Sequence, residues 1–214
     1  MKKLLVFLLL AVFGYAYWYY RLPNVIERVR SSVVRVQVQR KFGRRISGSG
    51  VVLDDGLILT ARHVIADANM VSIIFDDGSK IKSFKFFISR DIGNVDLGLI
   101  IIEDVDDHAH LVDFDVGMYI GNSVFMVGSP LGMQNSVAVG HFSAYNKILQ
   151  GERLHQLDIN GAPGNSGCPV FNYYGNVVGI LVRGNNYGMA FMVPLETCKA
   201  VINIYENVQR SKIN

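Results

Sequence analysis

Asp158-Ile-Asn-Gly-Ala-Pro-Gly-Asn-Ser-Gly-Cys-Pro-Val170 places a serine, Ser166, in a turn built of glycine, asparagine and proline between apolar runs. Gly164 and Gly167 let the backbone approach a bound group and turn its amides toward it. A hydroxyl beside such amides is what acyl transfer needs, a nucleophile together with donors for a developing oxyanion. A plain turn in a β protein has the same composition. On this stretch alone the plain turn is the better reading, and it yields only if a histidine base and a carboxylate stand elsewhere in fitting contexts.

Both are present. Ile58-Leu-Thr-Ala-Arg-His-Val-Ile65 sets His63 just after a short apolar strand, and Val95-Asp-Leu-Gly-Leu-Ile-Ile-Ile102 opens a strand apolar enough to be buried with Asp96. A charge at the mouth of a buried strand has to be paired or hydrogen-bonded. An imidazole N–H is one such partner, and the pairing fixes the tautomer that leaves the other ring nitrogen free to deprotonate Ser166. A lone histidine is usually a satisfied polar residue and a lone aspartate at a strand end a turn former. The order His63, Asp96, Ser166 is that of the chymotrypsin-type triad, unlike the subtilisin and α/β-hydrolase orders.

With these residues in view the chain resembles an HtrA-type (DegP-like) serine protease domain of the trypsin-like superfamily. Gly48-Ser-Gly-Val-Val-Leu53 and Leu59-Thr-Ala-Arg-His-Val-Ile65 are similar to the strand-to-histidine segment of that family, and Asp96-Leu-Gly-Leu-Ile100 to its aspartate strand. Gly128-Ser-Pro-Leu-Gly132 and Val137-Ala-Val-Gly-His-Phe-Ser-Ala144 look like its activation loop and following strand. Gly164-Asn-Ser-Gly-Cys-Pro169 resembles the nucleophile motif, with Cys168 where the family has glycine. The likeness runs from about residue 24 to the end, and no PDZ-like module is expected after the protease region.

At 214 residues the chain suffices for one large or two small β domains with a proper core, and half of its residues are hydrophobic. The net charge of +3 is mild, and the cluster Arg40-Lys-Phe-Gly-Arg-Arg45 reads as a solvated hairpin loop, so no nucleic acid partner is expected. Met1-Lys-Lys precedes seventeen uncharged, mostly apolar residues, Leu4 to Tyr20. A spanning helix needs roughly 17–25 such residues. A cleaved signal peptide is the competing reading, with Gly14-Tyr-Ala16 as a poor cleavage site. Tyr15, Tyr17, Trp18, Tyr19 and Tyr20 crowd the end of the run as aromatic residues do at a membrane interface. Residues 1–22 are therefore expected to anchor the chain, with the protease domain exported, or else to be cleaved to leave a secreted protein.

A short helix is expected over 24–30. Alternation and turn residues then place strands at 33–38, 50–53, 57–60, 70–75, 81–88 and 97–102. A second set falls at 123–127, 137–145, 154–158, 168–171, 177–182 and 189–193, followed by a helix over 195–208. Hairpin turns are expected at Asp54-Asp-Gly56, Asp76-Asp-Gly78, Tyr174-Gly-Asn176 and Gly184-Asn-Asn186. The expected fold is all-β, with two six-stranded antiparallel barrels covering about 31–104 and 117–195 of a domain spanning 24–214. His63 and Asp96 belong to the first barrel and Ser166 to the second, so the site falls between them.

The acidic run from Glu103 to Asp115, with His108 and His110, lacks ordered ligand spacing and reads as a solvated inter-barrel linker; no metal site and no cofactor are expected. Cys168 and Cys198 do not make a disulfide framework, and whether they pair stays open. Cys168 itself is unsuited as nucleophile, since Pro169 follows directly.

The function expected is a serine endopeptidase for unfolded or extended polypeptides, serving protein quality control or regulatory proteolysis. The Gly164 and Ser166 N–H groups, with Asn165 between them, would line the oxyanion hole. Four further expectations come from the resemblance. Asn160 would lie at the base of the primary specificity pocket, with walls from 181–183 and 189–191, Ala190 included. The edge of Ile180, Leu181 and Val182 would pair with substrate. Activation would depend on the loop Gly128–Gly132, since Asn165 replaces the aspartate of trypsin-like zymogens, and a homotrimer is the common assembly. Rival readings are a catalytically impaired module that binds peptides or a partner protein, and a small-ester hydrolase.

Overall fold

The computed structural model describes residue 14 and residues 21–40, 45–53, 56–88, 95–102, 112–115, 117–185 and 187–213. Of the expected anchor only residues 14, 21 and 22 are described, and the acidic run from 103 to 111 lies outside the described residues. No helix among those described is long and apolar enough to cross a membrane.

The chain enters through helical residues 21–30 (α1). Among the described residues thirteen strands follow: β1 Val33–Arg40, β2 Arg45–Val52, β3 Leu57–Ala61, β4 Ala68–Ile74, β5 Lys80–Ser83, β6 Lys85–Ile88, β7 Leu97–Ile101, β8 Ser123–Gly128, β9 Ser136–Leu149, β10 Glu152–Leu157, β11 Pro169–Asn172, β12 Val177–Gly184 and β13 Ala190–Pro194. A one-turn helix, α2 (Arg62–Ile65), interrupts the first set, and α3 (Leu195–Ile213) closes the chain.

The first body is a nearly closed seven-stranded sheet in the order β5-β4-β1-β2-β3-β7-β6, and the second is a closed six-stranded barrel in the order β10-β13-β12-β11-β8-β9. The extra strand of the first body corrects the sequence reading of one strand over 81–88. The chain bends at Phe84, which stands 68% exposed, and Ser83 fixes the bend by donating through Oγ to Ile101 O at 2.6 Å and accepting from Lys85 N at 3.1 Å. The residues before the bend pair with β4 and those after it with β7. One bent segment therefore supplies both edges of the sheet and all but closes it. The terminal helix also runs five residues beyond the expected end at 208.

Period-two alternation in β1 turns Val34, Val36 and Val38 into the first core. β12 has no such alternation because both of its faces are covered: Val177, Ile180 and Val182 join the core shared with the first sheet, while Val178 and Leu181 join the second barrel's own core. A strand buried on both faces reads as a continuous apolar run. α3 seats Leu195, Cys198 and Val201 against this shared core, and Tyr205 meets Phe87 edge-on at 5.3 Å between centroids. The helix thus joins the two bodies. Cys168 and Cys198 are both free and buried.

Candidate active site

His63 occupies the single turn α2 directly after β3, every residue of which is buried. Val64 and Ile65 anchor the turn in the core and leave the His63 side chain 47% exposed. β7 runs antiparallel to β3 with Ala61 opposite Leu97, so the residues just beyond, Arg62 and Asp96, face one another. The Arg62 amide accordingly donates to Asp96 O at 3.1 Å. The Asp96 carboxylate then takes two hydrogen bonds from a single residue: the His63 backbone N–H reaches Oδ1 at 2.9 Å, and the ring Nδ1 lies 2.7 Å from Oδ2. Asp96 is only 6% exposed. Burial pushes its carboxyl up, but the ring and amide hydrogen bonds of His63 and the charges of His63 and Arg62 outweigh that, and it lies below the ordinary aspartate value.

Ser166 arrives from the other body, on the turn between β10 and β11. The turn is held by Asn165 N donating to Ala162 O at 3.0 Å and Cys168 N donating to Asn165 O at 2.9 Å. Gly164 and Gly167 take φ of +102° and +89°, which side chains rarely adopt. A Cβ at Gly167 would lie 2.2 Å from Ser49 O and 2.3 Å from Thr60 Oγ1, so this turn rests directly on the strands that lead to His63. Ser49 N donates to Ser166 O at 2.8 Å. A Cβ at Gly48 would lie 3.0 Å from Ser166 O and 2.7 Å from the Val64 side chain, which places Ser166 beside α2. The structure therefore gathers His63, Asp96 and Ser166 at the junction of the two bodies.

Beneath the turn, Ser49 Oγ donates to Gly164 O at 2.9 Å and accepts from Ser129 N at 3.0 Å, while Leu131 N donates to Pro163 O at 2.7 Å. The Gly164 and Ser166 amides donate to no carbonyl among the described residues. The 129–135 segment is in turn tied to the first body, with Gln134 Nε2 donating to Phe75 O at 2.7 Å and Asn135 donating to Asp76. The Cys168 side chain is packed in the barrel core: its Sγ lies 3.8 Å from Met126 Sδ, and burial pushes its thiol pKa up.

A cleft of about 520 Å³ opens between residues 161–163, Ser166 and residues 181–184, with Asn185 and Tyr187 at its rim. Leu181 and Val182 line it. Asn160 is exposed beside it, near Gly188, while Ile180 and Ala190 are fully buried in the barrel. Past Leu181, whose amide donates to Cys168 O at 2.9 Å, the edge of β12 that faced β11 has no backbone partner among the described residues. Arg183 turns to Glu152, 3.2 Å away, and its other amino group donates to Gln150. Among the described residues no cluster of side chains fits a metal ion.

Sequence reasoning missed Ser49, Thr60 and Glu152. Ser49 and Thr60 are polar residues with no exposure inside strands; Thr60 Oγ1 donates to Ser49 O on the neighbouring strand, and the partner of the Ser49 hydroxyl, Gly164 O, lies 115 residues away.

The profile of the trypsin-like peptidase domain matches residues 48–180. A probable periplasmic serine endoprotease, DegP-like, from Rhizobium meliloti (strain 1021) is 32% identical over 170 residues, 74% of this chain and 33% of its own length. Its counterpart in Pseudomonas fluorescens is 34% identical over 165 residues, 73% of this chain and 34% of its own. The chain thus spans about a third of the length of these relatives. The solved HtrA-type protease AlgW with tripeptide superposes with a TM-score of 0.77 at 24% identity, covering 85% of this chain and 62% of that one. With the profile covering more than half of its length, this chain belongs to the trypsin-like peptidase family, alongside DegP-like and HtrA-type proteases.

Proposed function

We propose that the chain is a serine endopeptidase that cuts unfolded or extended polypeptides, with Ser166 as nucleophile, His63 as general base and acid, and Asp96 as its orienting partner. The observation that carries this is the double hydrogen bond from His63 to the buried Asp96 carboxylate, at the place where the Ser166 turn seats on β3. With Nδ1 engaged by Asp96, the ring's other nitrogen takes the Ser166 proton as Oγ bonds to the substrate carbonyl carbon. The carbonyl oxygen becomes an oxyanion facing the Gly164 and Ser166 N–H groups, each worth about 3–4 kcal/mol of barrier. His63 then passes its proton to the leaving amine as the peptide C–N bond breaks. Water repeats the sequence on the acyl-enzyme and restores Ser166.

The open edge of β12 beyond Leu181 supports an extended substrate, added as a strand. In this reading Asn160 brings no charge to the cleft and Arg183 is already paired, so the pocket favours small or medium aliphatic residues over basic ones. Cys168 does not favour a non-cleaving peptide binder, because its sulfur faces the barrel core. The names of the periplasmic relatives support an exported domain; its proposed anchor is the uncharged, mostly apolar run Leu4 to Tyr20. Digestion of an unfolded model protein by the wild type, H63A and S166A tests the assignment. Cleavage after aliphatic residues by the wild type alone is expected; cleavage by S166A, or dominant cleavage after Lys or Arg, contradicts it.

A further inference from the structure

Glu152 opens β10 with a side chain only 3% exposed, and the catalytic sequence above makes no use of it. A buried carboxylate needs partners to offset its lost hydration. Glu152 has two, one in each body. Its Oε1 accepts the Asp96 backbone N–H at 2.7 Å, and its Oε2 lies 3.2 Å from Arg183 Nη2. Asp96 is therefore held at every polar atom: the amide by Glu152, the carbonyl by Arg62, and both carboxylate oxygens by His63. Of these contacts only the one from Glu152 comes from the second barrel, the body that carries Ser166. Arg183 belongs to β12 and lines the cleft beside Ser166, so the same carboxylate connects the cleft wall to the acid behind His63.

We infer that Glu152 is a positioning residue: by accepting the Asp96 amide from its place in the second barrel, where Arg183 braces it, it fixes the registration of His63 against Ser166 across the junction of the two barrels. The inference rests on the His63-Asp96-Ser166 assignment. It requires an acceptor of the right reach on the Asp96 amide more than it requires a negative charge. Glutamine keeps that reach and, with its carbonyl turned to the Asp96 amide, that acceptor, giving up only the Arg183 contact at its NH2 end; aspartate keeps the charge and is one methylene short.

The test measures kcat and KM on one aliphatic-site peptide for the wild type, E152Q and E152D, with S166A in parallel and folding followed by near-UV circular dichroism. E152Q is expected to keep kcat within about threefold, and E152D to lose about 10- to 100-fold in kcat with KM little changed, as misplaced catalytic groups do. Unchanged kcat in folded E152D overturns the inference while an inactive S166A leaves the triad standing. Loss of folded protein in both variants, or equal kcat losses in both, also overturns it, in favour of a purely structural or charge role. Activity in S166A instead removes the triad reading, and with it this inference.

Discussion

Gly161 and Gly184 touch backbone to backbone: a Cβ on either one would lie 2.6 Å from the other's Cα. One precedes the nucleophile turn and the other ends β12, and together they close the cleft beside Ser166. Gly184→Ala therefore pushes the cleft walls apart. Overpacking of this kind costs about 1–3 kcal/mol. Because the contact lies at the cleft, the expected effect on kcat/KM is larger than on stability, about tenfold or more by the same misplacement argument. Paired steady-state kinetics and thermal melts check this, and undiminished kcat/KM in the variant counts against the cleft assignment.

Ser49 joins three segments through one hydroxyl. Ser49→Ala leaves the buried Gly164 carbonyl and Ser129 amide without their shared partner. An unsatisfied buried group costs about 1–3 kcal/mol. Since Gly164 also carries a proposed oxyanion donor, kcat is expected to fall by about tenfold or more, below the roughly hundredfold loss of an outright donor deletion. Single-turnover kinetics on the folded variant measures it. A variant that loses melting temperature but keeps kcat shows that Ser49 serves only the fold.

His155 lies half-buried against Phe142 and Tyr145, with ring centroids at 5.2 and 5.4 Å, and its Nδ1 accepts the Asn146 amide at 3.3 Å. Burial holds its pKa below the ordinary histidine value, with nearby Glu196 opposing; Arg153 lines the same cavity. A base with a depressed folded pKa stabilises the native state above its unfolded value of about 6.5, and that contribution is lost as pH falls through the folded value. Melting temperature is expected to drop as pH falls from about 7.5 to about 5, and His155→Phe to flatten part of that drop. An unchanged slope in the variant assigns the acid sensitivity to other groups.

The fold was legible where each residue's burial is set by its immediate neighbours. Alternation over Val33 to Val38 marks a half-buried strand, and the glycine turns at Gly78 and Gly175 take the positive φ that their sequences imply. His63, Asp96 and Ser166 could be singled out only together, by their order and combined contexts, since each alone reads as an ordinary structural residue of its type. The bend at Phe84 was not legible, because Ser83 fixes it through Ile101, a partner on another strand. Glu152 and Ser49 stayed hidden for the same reason: their partners lie 56 and 115 residues away, and nothing local distinguishes them from surface polar residues. The continuous apolar run of β12 indicates burial on both faces without saying that the second face meets another barrel.

Covalent capture by a serine-directed fluorophosphonate probe tests the central claim most directly. The proposed mechanism predicts one adduct per wild-type chain, located on Ser166 by peptide mass mapping. It predicts none in S166A, and labelling at least about a thousandfold slower in H63A, because nucleophile and base act as one unit. An adduct on another residue, or undiminished labelling and cleavage in S166A, contradicts it.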